Sequence, residues 1–519
     1  YDGTRVFREW QASGDTFSIE HTWPHEQVRQ FTVRVIRNGQ VELITPPVTL
    51  HYGRRFNQCG DRQNTLPYNY QPDHNGLLYV SGIPIGAHYR SWPPNTLVYG
   101  NFKVWLTGTV IGMEYQPPMY MSFWTTPEIP FAGERQEGGS SLASSQHHLL
   151  SCPGMIITES VTDRVYPNGG SHTGDCTPPK LTEPTQLFTL TQRRYGIYGM
   201  LEQCNGQYVE AKITALRDVA LRPNATTVTV SRISFPMKAN SPQQTEINVG
   251  GKTERYALKD LRDINRTDTL ATGDYIGMYP HGLAGGGAHY AVSGQLSSSL
   301  YTWQKGAMYS RIDLQVPNQW KKGDAFSYNM LFTTGGSVPF KPVSEYENIV
   351  AFLGLRTKTY PAITKLEGGA LLPEPVIATI QVKPESVLNL ETRRNQDDPL
   401  GLPIRLRGYE PNWQLVYTLN GSKTWRYCGQ LDGEYYFHLY TNMDAYQVKM
   451  GHPLLADRTD IRIMLDDPSG KQRAFEVYNP TAKPVTVNLH TNPAFLPAQP
   501  LRVVLAPYES KLVEVTAGE

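Results

Sequence analysis

Histidine recurs in five short segments of this 519-residue chain, beside tyrosine in four of them and beside arginine in two. Between them these side chains supply what β-elimination at a uronic acid requires. A guanidinium neutralises the carboxylate and acidifies the C5 proton, an imidazole removes that proton, and a phenol protonates the leaving oxygen. The first segment is His51-Tyr-Gly-Arg-Arg55. Arg54 offers a planar fork matching a carboxylate, although adjacent arginines on a strand face opposite ways. The second is His88-Tyr-Arg90 with Trp92 beyond it, where His88 and Arg90 share a face. The third is the pair His147-His148 beside a Gly/Ser-rich stretch. The fourth runs from His281 through a glycine run to His289-Tyr290. It lacks the spacing of a nucleotide-binding loop, and glycine there would let a polymer chain come close. The fifth is Glu434-Tyr-Tyr-Phe-His-Leu-Tyr440. As a strand it puts Tyr436, His438 and Tyr440 on one face, where they could stack on sugar rings.

Each segment has a plainer explanation. Arg54 suits a solvated strand end with ion pairs, and the His88–Arg90 segment suits a satisfied histidine beside packing aromatics. A histidine such as His147 or His281 is often incidental in a loop. The Tyr436 face could be a second packed layer, since some strands are covered on both sides. On the chemical reading His147 or His289 is the base, Tyr290 the acid, and Arg54 or Arg90 the neutraliser. Glycoside hydrolysis would instead need two acids about 5 to 10 Å apart. Glu345, Glu347 and Asp274 are candidates that the sequence cannot bring together. Elimination is placed ahead of hydrolysis because His, Tyr and Arg cluster more visibly than Asp and Glu.

The elements that must hold these groups are strands. Phe31–Val35 and Val485–Leu489 alternate apolar and polar residues. Thr226–Phe235 is β-branched, with a phase change near Arg232 that predicts a bulge. Turn pairs such as Asn420-Gly421 and Asp432-Gly433 recur at short intervals. Gly-Asp enters an apolar strand twice, at Gly273-Asp274 and Gly323-Asp324. Tyr256–Ile264 could hold a short helix, and Glu345–Leu355 is either helix or buried strand. The chain therefore predicts an all-β protein of large antiparallel sandwiches, divided at 1–238, 239–400 and 401–519. Tyrosine outnumbers phenylalanine 31 to 16, which suits sheets whose faces carry both rings and hydrogen bonds.

Composition limits the partners. A net charge of +1 argues against nucleic-acid binding through a broad positive field. No apolar run is long enough for a membrane-spanning helix. The chain opens without Met, as a processed secreted chain would. Of five cysteines, Cys152 and Cys176 flank a loop that a disulfide could staple; buried free thiols are the alternative. A zinc set of Cys152, His172, Cys176 and Cys204 fits no standard spacing. No cofactor is required, although loops at Asp457–Asp460 and Asp466-Asp467 offer oxygen ligands for calcium.

One resemblance bears on these partners. Phe475–Thr481, Pro484–Leu489 and Leu501–Val515 resemble the small C-terminal β-sandwich of extracellular polysaccharide-degrading enzymes, without pointing to a specific family. The resemblance implies a secreted, carbohydrate-active protein with a polysaccharide or oligosaccharide partner. A non-catalytic surface-assembly or glycan-binding protein, including a homo-oligomer, fits the same composition.

Overall fold

The two Gly-Asp segments form two copies of one turn. Asp274 accepts the backbone N–H of Ala271 through its carboxylate (2.8 Å) and donates its own N–H to the Ala271 carbonyl (3.1 Å). Asp324 does the same with Lys321, at 2.7 and 2.9 Å. The glycine before each aspartate has φ near +90°, at 88° and 93°, which its missing Cβ allows. Each turn launches a strand, Tyr275–Pro280 and Ala325–Gly335, and both strands lie in one nine-stranded sheet.

In this computed structural model the backbone is described for strands from Gln27 onward. Side chains are described for Met155, Ile157 and, with single exceptions, residues 188–197, 208–231, 245–256, 264–277, 288–300, 310–333, 346–393, 401–439, 445–466 and 473–515. Among these residues the protein is nearly all β, with a single helix. No helix there is long and apolar enough to cross a membrane.

Four sheets stack in sequence. The nine-stranded sheet takes strands from Ser141–Cys152 to Ala325–Gly335. One of its faces meets a seven-stranded sheet. Val209, Ile213, Met330 and Phe332 of the first interlock with Val228, Val230, Ile312 and Leu314 of the second. Its other face carries a ladder-aligned row of rings, with Tyr195 opposite Tyr208 and Tyr290 opposite Tyr275. That face packs on the helix and on an inner five-stranded sheet. The inner sheet in turn shares a core with an outer five-stranded sheet, where Phe437 meets Tyr417. All pairings in these sheets are antiparallel except Ala378–Val382 with Leu402–Arg407.

The ambiguous segment is helix α1, Pro342–Phe352. Its buried residues Tyr346, Ile349, Val350 and Leu353 follow the helical period. Gly354, at φ 63°, ends it while the Leu355 N–H bonds back to the Val350 carbonyl (2.9 Å), a Schellman closure. The Tyr346 ring rests on Gly277, where an added Cβ would lie 2.2 Å from it. The helix expected at Tyr256–Ile264 does not begin there, because Lys252–Ala257 is a strand. Phe31–Val35 divides between Gln27–Phe31 and Arg34–Arg37. The expected bulge in Thr227–Pro236 falls between Thr229 and Ser231.

The expected boundary at 238/239 cuts across both large sheets, since residues on each side supply strands to each. The one at 400/401 likewise cuts through both five-stranded sheets, each of which takes strands from either side of it. The C-terminal sandwich is present as two three-stranded sheets, beginning at Leu454. Val485–Thr491 alternates buried and exposed without a break, as its sequence predicts.

Candidate functional site at an interlayer seam

The strand Leu402–Arg407 reads Leu-Pro-Ile-Arg-Leu-Arg. Alternation sends Leu402, Ile404 and Leu406 into the core between the two five-stranded sheets. Arg405 and Arg407 take the other face, toward the nine-stranded sheet. Arg405 lies directly opposite Tyr436 in the ladder. Its guanidinium sits between two rings, 5.4 Å from the centroid of Tyr195 and 5.5 Å from that of Tyr436.

Three glutamates from different elements surround this cation. Arg405 Nη1 is 3.4 Å from Glu374 Oε2, and Nη2 donates to Tyr195 Oη (3.1 Å) and Glu210 Oε1 (3.5 Å). Its Nε is 3.6 Å from Glu434 Oε2. Arg407 donates to both Glu374 and Glu434. Tyr195 donates to Glu210 and Tyr436 to Glu434, each at 2.8 Å. Arg405 is only 8% exposed, while Glu210, Glu374 and Glu434 are 32%, 34% and 24% exposed. The carboxylates are thus reachable from solvent and the cation beneath them is not.

Burial would raise the Glu434 carboxyl, but bonds from Arg407 and Tyr436 and the charge of Arg405 outweigh it and hold Glu434 below its usual range. Burial, then Glu210, pushes the Tyr195 hydroxyl far up, so it stays protonated. Burial opposes the charge on Arg405, and its tyrosine and glutamate neighbours restore it. Such a rim accepts hydrogen bonds from hydroxyl or ammonium groups.

The predicted residues are distributed unevenly. Tyr436 belongs to the seam but is 1% exposed, and His438 on the same face is 4% exposed. The strand Glu434–Leu439 is covered on both sides, so these rings form a packed layer and no sugar-stacking face. His438 presses on Gly401, where an added Cβ would lie 2.0 Å from its ring.

His289 and Tyr290 do not form one site. They lie on opposite faces of one strand, and both are fully buried. His289 bridges the two large sheets through Ser231 (2.6 Å) and Ser310 (2.5 Å), and burial lowers its pKa to about 3. Tyr290 packs on Tyr275, with its hydroxyl 3.3 Å from that of Thr333. Neither reaches solvent.

His147 lies on the strand Ser141–Cys152, in register with Glu159, which pairs with Arg193, which pairs with Glu210. His88 ends a short strand of the seven-stranded sheet, opposite Trp105. Their side chains are outside the described residues, as are Arg54, Arg90, Trp92, His281, Tyr440 and Cys176. Cys152 is described only by its backbone, opposite Met155.

Two of the acids considered for hydrolysis do approach each other. Arg356 is 3.8 Å from Asp274 and 3.3 Å from Glu347. Tyr275 donates to Glu246 at 2.6 Å and lies 3.3 Å from Glu347. Glu246 has no exposed side-chain surface, and burial raises its pKa. It cannot touch a polymer, and this cluster fastens α1 to the sheet. In the calcium candidate loop, Asp457 accepts from Asn488 and Asp460 pairs with Arg458. Among the described residues no group of three or more His, Cys, Asp or Glu is placed to hold a metal ion.

Sequence reasoning missed Arg405, Arg407, Glu374 and Glu210. The available signal was a charged residue at alternate positions of an otherwise apolar strand. Glu434 was also legible, two residues before Tyr436 on the same face.

No protein-family model matches the chain, and no curated protein matches it. Among solved structures, a GH36 α-galactosidase from Geobacillus stearothermophilus aligns with 64% of this chain and 43% of its own, at 10% identity and a TM-score of 0.29. A galactose mutarotase related enzyme from Lactobacillus acidophilus aligns with 59% of this chain and 97% of its own, at 9% identity and a TM-score of 0.25. A polysaccharide lyase aligns with 86% and 44%, at 11% identity and a TM-score of 0.15. The chain spans less than half the length of the α-galactosidase and of the lyase. Likeness this slight carries no activity across.

Proposed function

We propose that this protein is an extracellular carbohydrate-active enzyme that holds a polysaccharide at the Arg405 seam and hydrolyses it there. The observation supporting this is the ring of three half-exposed glutamates, drawn from two facing sheets and a loop, around one buried guanidinium. Carboxylates that share a single arginine are close enough for the acid-and-nucleophile pairs of glycoside hydrolysis. Glu434, held ionised, takes the part of nucleophile or cation stabiliser. Glu210, facing it from the nine-stranded sheet, is the second carboxylate of the pair. Tyr195 and Arg405 hold these groups in place without touching the polymer.

The test is a panel of neutral, amino and acidic polysaccharides assayed for new reducing ends and for the ultraviolet absorbance of unsaturated uronates. Reducing ends without absorbance are expected, abolished by Glu434→Gln and by Glu210→Gln. No release from any polymer, or release that survives both substitutions, would sink the proposal. A second reading, β-elimination, is favoured by the register that aligns His147 with Glu159, Arg193 and Glu210. It predicts absorbance that disappears in His147→Ala.

A further inference from the structure

We infer that the seam selects sugars carrying an ammonium group over sugars carrying a carboxylate. This rests on the carbohydrate reading above and names the substrate class within it. Among the described residues, four carboxylates meet three guanidiniums here: Glu210, Glu374, Glu434 and Asp432 against Arg193, Arg405 and Arg407. Within that set one negative charge is left over.

The placement of these charges matters more than their sum. Arg405 is nearly covered and already distributed among Tyr195, Glu210, Glu374 and Glu434. Arg407, 31% exposed, is spent on Glu374 and Glu434. Arg193, 26% exposed, is spent on Asp432 at 2.9 Å. A uronate arriving from solvent therefore meets glutamate oxygens before any unengaged guanidinium. Like charges repel across such a half-exposed rim, where the effective dielectric is well below that of water.

An amino sugar meets the opposite situation. Its ammonium has three donors and no acceptor, and carboxylate oxygens are its best partners. Glu374 and Glu434 each spend oxygens on Arg407, Thr379 or Tyr436, yet a quarter to a third of each side chain stays open. The ammonium would sit at that exposed edge, sharing the carboxylate oxygens with their present donors.

The experiment compares three probes of equal length on the full chain by calorimetry at low salt: a glucosamine hexamer, its N-acetylated form, and a galacturonate hexamer. The glucosamine hexamer is expected to bind at least tenfold tighter than either of the others. The margin should shrink as salt is raised and fall in Glu374→Gln. Equal or reversed preference overturns the inference, as does a preference that Glu374→Gln leaves intact while its urea midpoint matches wild type. The wild-type competition and its salt series need no variant to fold. If all three bind alike, charge selection alone fails and the carbohydrate reading stands. If none binds, both fail.

Discussion

Lowering the pH from 6 to 5 should cost this fold about 3 to 4 kcal/mol, and three buried histidines are the reason. His289, His438 and His452 are enclosed, and burial lowers their pKa values to about 3, 3 and 4. In the unfolded chain each titrates near the ordinary value of about 6.5. Between pH 6 and 5 the unfolded state gains protons that the folded state refuses, so stability falls with pH. One proton of difference is worth about 1.4 kcal/mol per pH unit, and the partial titration across this interval leaves roughly 1.2 for each histidine. Among the described residues two shifted carboxyls also bear on the pH profile. Glu434, held low, loses its contribution only as pH falls through the carboxylate range. Glu246, held high, acts in the opposite direction, since a folded state that binds a proton early is stabilised by acid. The assay is urea denaturation followed by tryptophan fluorescence at pH 5, 5.5 and 6. The His289→Gln variant keeps hydrogen-bonding groups for Ser231 and Ser310 but cannot titrate. Its baseline stability is irrelevant; its pH slope should drop by about a third. A flat wild-type profile, or a variant slope equal to wild type, would refute the account.

Three further outcomes follow. Arg405→Met leaves Glu210, Glu374 and Glu434 without their central cation and should destabilise the chain by roughly 3 to 5 kcal/mol in urea titrations; a change below 1 kcal/mol would show the cluster to be slack. Gly277→Ala drives a methyl group into the Tyr346 ring and should cost about 1 to 3 kcal/mol, seen as faster amide exchange in α1 than in the C-terminal sandwich. Peptide mapping without reduction is expected to recover Cys152 and Cys176 in one crosslinked fragment, and finding both alkylated as free thiols would end that proposal.

Strands and turns were legible because each carries its own period or its own turn chemistry. Val485–Thr491 alternates by itself, and Asp432-Gly433 bends with both φ values positive, at 53° and 78°. Helix α1 was half legible: its apolar spacing fits a helix, but so short a run also fits a buried strand. What alternation cannot report is what lies beyond a face. Tyr436 and His438 share a polar-looking side, and nothing local says that another sheet covers it. His289 failed for the same reason, since its serine partners lie 58 and 21 residues away. Arg405 was hidden by the opposite habit, because a lone cation in an apolar strand reads as solvated until its three anions are placed.

The strand Leu402–Arg407 serves two neighbours at once, grease on one side and charge on the other. Its letters can drift, but its length cannot. Losing one residue would roll Arg405 into the hydrocarbon layer and leave three anions facing Leu406. Substitution at single positions is survivable here in a way that a one-codon deletion is not.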